Sequence, residues 1–219
     1  VAVTAVNDSV DDDQQTSTIT VSVSNSNDSK YGSGISNQSV TATTTDDDTA
    51  AFTVTESGGS TIVDESGGND SIVIVLGSEP TGDVVFSLTA NDSTEATIAP
   101  STLTFTTSNW NSAQIATVTG VDDNLDDDNV SNTVIVAVNQ NNTADTKYDA
   151  LDNQSVTVTT TDNDSAPKVT LLSSSSSFAE NNGTTVLTAT LDTAATSDIT
   201  VALFLSGGGT LDTDYSISS

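Results

Sequence analysis

The sequence predicts an all-β protein of tandem immunoglobulin-like β-sandwiches, one whole repeat flanked by two partial repeats. Three observations carry this. Val and Ile alternate with Thr and Ser over short runs, the period of strands with one buried face. Gly, Asn, Asp and Pro punctuate those runs every few residues, and no segment has a helical period. Finally, blocks of sequence recur about 115 residues apart: VNDSVDDD at Val6 to Asp13 returns as VDDNLDDD at Val121 to Asp128, and SNQSVTATTTDDD from Ser36 returns as DNQSVTVTTTDND from Asp152.

The offset also runs forward. Val54, Glu65, Ile72, Leu76, Val84 and Leu88 match Val169, Glu180, Leu187, Leu191, Ile199 and Leu203. These matches divide the chain into residues 1–50, the second half of a preceding repeat; 51–166, a complete sandwich; and 167–219, the first half of a following repeat. In the whole repeat the pattern predicts strands at Phe52 to Glu56, Ser71 to Gly77, Asp83 to Thr89, Glu95 to Ile98, Thr102 to Thr106, Ala113 to Gly120, Thr133 to Asn139 and Gln154 to Thr161. Seven or eight short strands in such a length is sandwich spacing. Ile72, Ile74 and Leu76, with Val134, Val136 and Val138, should line the inward face, and Trp110 should cap it. The leading half should hold three strands, too few to bury their own apolar faces. The chain opens at Val1 inside one of them, as expected of a piece of something longer.

Composition narrows the function. The 219 residues carry 31 acids against Lys30, Lys147 and Lys168, a formal charge of −28. So acidic a surface repels nucleic acid and anionic membrane, and no apolar run is long enough to span a bilayer. Without Cys there is no disulfide framework and no thiolate nucleophile, and without His the commonest general base and transition-metal ligand is missing. Paired carboxylates alone support glycosidase-type chemistry, but no pocket aromatics accompany them, so no enzyme is expected.

The acids fall between the strands. Asp64 and Glu65, then Asp92, then Asp122, Asp123, Asp126, Asp127 and Asp128, then Asp162 and Asp164 occupy loops that a sandwich gathers at one end. The leading half supplies a second set, Asp8, Asp11, Asp12, Asp13, Asp46, Asp47 and Asp48. Two carboxylates about 4 Å apart repel by about 1 kcal/mol even in bulk water, so the clusters call for a cation unless they simply form a solvated acidic face. Oxygen ligands without His or Cys select Ca²⁺ or Mg²⁺ over zinc, and flexible loops offering many oxygens suit Ca²⁺ better. The EF-hand is not matched, because the sixth position from Asp122 is Asp127 and not Gly.

Two stretches resemble the Calx-beta family: the trailing half, with its Ala179-Glu180-Asn181 turn and its Gly209 to Tyr215 segment, and the middle repeat, with LTFTTSNWNSAQIATVTGVDDNLDDD and TVTTTDND. The middle repeat is similar to the Calx-beta-like repeats of large bacterial surface proteins. The resemblance implies a sandwich that binds several calcium ions at the loops nearest the next domain. The ligands it implies are Glu65, Asp92, Asp122, Asp123, Asp127, Asp162 and Asp164, with Asp8, Asp12, Asp46 and Asp48 in the preceding repeat. Glu180, Asp212 and Asp214 would join them if the missing half were present. The middle repeat departs from the pattern by having NDSTEATIAP where the trailing half has GTLDTDY, which weakens Asp92 most. The expected protein is an extracellular, calcium-stiffened stalk or head-to-tail filament of an adhesin-like surface protein. Its expected partners are neighbouring repeats or copies of itself, with any surface or glycan ligand carried elsewhere in the full-length protein. A calcium-sensing regulatory module, or an accessory spacer of a secreted enzyme, is the alternative.

Overall fold

The computed structural model describes residues 1–32, 35–195, 197–204, 206–209 and 216–217. Its centre is a sandwich of two sheets. One sheet has four strands in the order β3 (Phe52–Glu56), β5 (Asn69–Leu76), β9 (Gln114–Gly120) and β7 (Ala96–Ala99). The other has five, in the order β4 (Thr61–Asp64), β11 (Gln154–Thr161), β10 (Val130–Val138), β6 (Val84–Ala90) and β8 (Thr102–Phe105). All neighbours are antiparallel except β4, which runs parallel to β11.

Alternation builds the core. In β5 and β10 the inward set is Ile72, Ile74 and Leu76 and Val134, Val136 and Val138, as the pattern predicts, and all six are buried. Phe86 sits between two other rings, 4.7 Å from Phe52 and 5.9 Å from Phe105 between centroids. Each buried aromatic of this kind contributes several kcal/mol through area and tight packing. Trp110 is partly buried against this cluster. At the end where β3 begins, Tyr148 is buried on the short helix α2 (Thr146–Asp149), and its hydroxyl donates to the Ser78 carbonyl at 2.7 Å. Asp145 caps that helix, accepting from the Lys147 and Tyr148 amides.

Two elements differ from the sequence expectation. β4 was not expected. The short stretch between Gly58-Gly59 and Gly67-Gly68 reads as a loop, yet Thr61 and Val63 point inward and the β11 edge accepts the four-residue strand. Conversely, among its described residues the leading half has two strands and not three. β1 (Gln15–Val21) and β2 (Gln38–Thr44) form a hairpin, while residues 1–5, which repeat the end of β9, make no ladder. The reason is local: β9 is held by β5 and β7, and the leading half contains no counterpart of either.

The trailing half forms a second small hairpin, β12 (Val169–Ser173) with β13 (Leu187–Leu191). Among the described residues, no core residue lies outside Ala50 to Val158. The two hairpins leave the sandwich at opposite ends, since Gln154 bonds the Phe52 carbonyl whereas Thr161 lies beside Asp64 at the other end of β11.

Candidate metal centre

The site grows from a tight turn. After β4, the amides of Gly67 and Gly68 both donate to the Asp64 carbonyl, at 3.2 and 2.8 Å, and the Asp64 carboxylate folds back onto Ser66. Gly67 has φ 98°, a region that favours glycine. Across from the turn a Cβ on Gly120 would run into the Asp64 carbonyl oxygen, so only glycine lets β9 pass so close. The turn therefore seats Glu65 against the end of β11, where its amide donates to the Thr161 carbonyl and its side chain is 4% exposed.

Three carboxylates meet there. One ligand atom each from Glu65, Asp162 and Asp164 lies within 4.8 Å of the others. Asp162 is fixed by backbone donors, its Oδ2 accepting from Asp127 and Asp128 at 3.1 and 3.0 Å and its Oδ1 from Asp164 at 2.7 Å. Glu65 Oε1 accepts from the Asn163 amide at 3.1 Å. Asp164 Oδ2, by contrast, is buried with no hydrogen-bond partner. Burial pushes the Glu65 carboxyl above its ordinary range; the Asn163 amide opposes this, and the charges of Asp162, Asp164 and Asp123 add to it. A hard cation fits such a set: it would take the orphaned oxygen, share the bent carboxylates and reverse the repulsion.

The remaining expected ligands divide into near and engaged. Asp123 and Asp127 lie close enough to raise the acids around them, but Asp123 Oδ1 already accepts from the Leu125 amide at 2.7 Å. Asp122 meets the Asn163 side-chain amide at 3.3 Å. Asp92, the residue the sequence supported least, has its Oδ1 engaged by the amide and hydroxyl of Thr94. Sequence reasoning missed Glu95. It sits half-buried just before β7, where burial and then Asp127, Asp92, Asp123 and Asp162 raise its carboxyl. Its signal was an acid at the entry of a strand that follows an acidic loop, and it was read as part of that strand.

At the opposite end of the sandwich, Asp46, Asp47 and Asp48 form a second group. Asp46 accepts from the amides of Asp48 and Asp12, both at 2.9 Å, and the Asp48 bond is the main cause that holds its carboxyl below the usual range. Asp48 is raised, by burial first and then by Asp47, Asp46, Asp8 and Asp11. Asp8 Oδ1 accepts from the Val10 amide, and Asp12 contributes a backbone donor. A cation is already present here: Lys147 Nζ lies 3.2 Å from Asp11 and 2.6 Å from Asp13, in an open groove that Asp46 and Asp48 also line. Asp212 and Asp214 lie outside the described residues.

No protein-family model matches the chain, and no curated protein matches it. Among solved structures it is similar to SSP-19, an MSP-domain protein like family member of Caenorhabditis elegans, at 14% identity and a TM-score of 0.35 over 49% of this chain and 99% of that one. The apo form of the Calx CBD1 domain matches at 12% identity and TM-score 0.35, over 52% of this chain and 98% of that one. Domains 1–6 of the surface layer protein SbsC match at 15% identity and TM-score 0.36, over 81% of this chain and 25% of that one. Among the described residues no helix is long and apolar enough to cross a membrane.

Proposed function

We propose that this chain is a calcium-binding structural repeat of an extracellular surface protein, without catalytic activity of its own, whose sandwiches are strung end to end in a stalk or filament. The observation that carries the reading is the cluster of Glu65, Asp162 and Asp164, with the buried Asp164 Oδ2 left without a hydrogen-bond partner. The cluster stands at the end of β11, where the chain leaves for the next half-repeat, so an ion there ties the junction to the sandwich. The acidic, cysteine-free and mostly Ser/Thr-faced sequence agrees with a solvated site outside the cell.

Calcium binding only the folded state adds RT ln(1 + [L]/Kd), about 2.7 kcal/mol per site at a hundredfold excess over Kd. The test is calorimetric calcium titration with thermal unfolding of the 219-residue chain, parent against Asp162→Asn with Asp164→Asn. The parent should bind and gain melting temperature, and the double variant should lose most of both. An equal response in the two would show that these acids are a solvated face.

A further inference from the structure

β4 is the strand that the sandwich holds least. It lies at the edge of its sheet with β11 as its one neighbour there, and the pairing is parallel, the slightly weaker ladder. β5 and β10 each bury three apolar side chains in the core, whereas β4 buries Val63 alone. Its other inward residue, Thr61, donates its hydroxyl to the Glu56 carboxylate at 3.0 Å, and Ile62 faces solvent.

Glycine pairs bound the segment. Before it stand Gly58 and Gly59, with φ 69° and 84° and no atom within 4 Å of where a Cβ would be. Neither is there to let another part of the chain pass, so what glycine supplies at this point is backbone freedom. After the segment, the Gly120 amide donates to the Gly68 carbonyl at 2.9 Å and fixes the second pair to β9.

The two ends of β4 are pinned differently. At its start the Asp70 carboxylate accepts from the Ile62 amide at 3.1 Å and from the Ser57 hydroxyl. At its end the Glu65 amide donates to the Thr161 carbonyl and the Thr161 hydroxyl to the Val63 carbonyl, both at 3.2 Å, and the Asn163 amide meets Glu65 Oε1. Against these bonds stands the charge of Glu65 itself, buried and with an oxygen within 4.8 Å of one from each of Asp162 and Asp164. Like charges so placed push the end of β4 away from the end of β11. A divalent cation among them turns the same three charges into an attachment.

We propose that β4 with Glu65 is a strap closed by calcium: an ion shared by Glu65, Asp162 and Asp164 holds β4 on the β11 edge, and without it residues 60–66 lift away while the other eight strands of the sandwich stay folded. The strap rests on the calcium reading above and adds a regulation to it. β11 runs on into Asp162 and Asp164, so the strand that leads into the junction keeps both of its neighbours, β10 and β4, only while the ion is bound. Calcium then sets the stiffness of the junction through one edge of the sheet.

Hydrogen exchange of the 219-residue chain at neutral pH, read residue by residue by NMR, tests this. In chelator the amides of β4 and Glu65 should exchange about 100-fold or more faster than the slowest amides of β5 and β10, as a locally opening unit does. Calcium at a hundredfold excess over Kd should slow them by about 100-fold, because an ion that binds only the closed strap shifts its equilibrium by 1 + [L]/Kd. Glu65→Gln keeps an acceptor for the Asn163 amide but removes both the charge and the ligand. In chelator its strap should exchange more slowly than the parent's, since the repulsion is gone, and calcium should no longer slow it. A side chain that only packs predicts neither change. β4 amides that exchange together with the slowest amides of β5 and β10 in chelator, or a Glu65→Gln strap that exchanges faster than the parent's there, overturn the strap. A parent that binds calcium in the calorimeter without slowing these amides overturns the coupling of strap to ion. A parent that binds no calcium overturns the calcium reading and that coupling with it, while the comparison of strap with core in chelator still decides whether β4 opens by itself.

Discussion

Residues 130–161 and residues 15–44 carry nearly the same pattern and pair as the same antiparallel hairpin, but the first is core and the second is surface. Val156 is buried and its counterpart Val40 is exposed; Val136 and Val21 differ in the same way. Backbone pairing is therefore local, written in alternation and turn residues. Burial is not: it needs a second sheet, and among the described residues the central repeat alone has both.

The largest test of that contrast is a truncation. Phe86→Ala, between the rings of Phe52 and Phe105, should cost about 3–5 kcal/mol of unfolding free energy. Val201→Ala, at the matching position of the trailing half, should stay within about 0.5 kcal/mol in dilute, monomeric protein. Denaturant titration of both decides it, and comparable losses would mean that the trailing half already packs.

Acidity contrasts single carboxyls at the two ends of the sandwich. Burial pushes Asp145 up, but donors from Thr81, Lys147 and Tyr148 outweigh it and leave the carboxyl below 3.8. Its stabilisation is present above that value and is lost as the pH falls through its lowered folded-state pKa. Glu65 and Glu95 run the other way, since both are raised above 4.5 in the folded chain. Folded protein then holds those protons more tightly than unfolded, so stability falls as pH rises through their folded-state values. In chelator the melting temperature should accordingly rise as the pH is lowered from neutrality towards 4.5 and fall again below 3.8. With calcium the first limb should flatten or reverse, because protons and the ion compete for the same oxygens. A melting curve that is flat in chelator over the upper range would contradict the crowding at this pole.

The smallest effect concerns how the leading hairpin is pinned. Lys147 is drawn up in pKa by its hydrogen bonds to Asp13 and Asp11 and is only half-buried, so Lys147→Met should leave the unfolding midpoint of the sandwich unchanged. It should, at low salt, speed hydrogen exchange several-fold at the Ala50 and Glu79 amides, which bond Asp11 and Ser9. Unchanged exchange there would place the attachment in the Val10 to Glu79 bridge alone.

Much of the fold was legible without coordinates. Six of the inward positions, the eight other strands of the repeat and the crowding of acids at one end follow from period two and from the 115-residue offset. Glu65, Asp162 and Asp164 were named among eleven candidate ligands, but the sequence ranked none of them above Asp122 or Asp127. β4 was hidden because four residues flanked by glycines carry too little pattern, and Glu95 because an acid at a strand entry reads as solvent-facing.

What the sequence determined by itself is whatever depends on near neighbours in the chain: alternation, turns, caps and the charge of each loop. The tertiary structure decided whatever depends on distance in space. Only there does a parallel edge accept β4, does Gly120 let the Asp64 turn close over β9, and does Asp164 Oδ2 become buried beside Glu65 with no donor to meet it. The physical reason is desolvation, which belongs to a site enclosed by strands far apart in sequence and to no one of them alone.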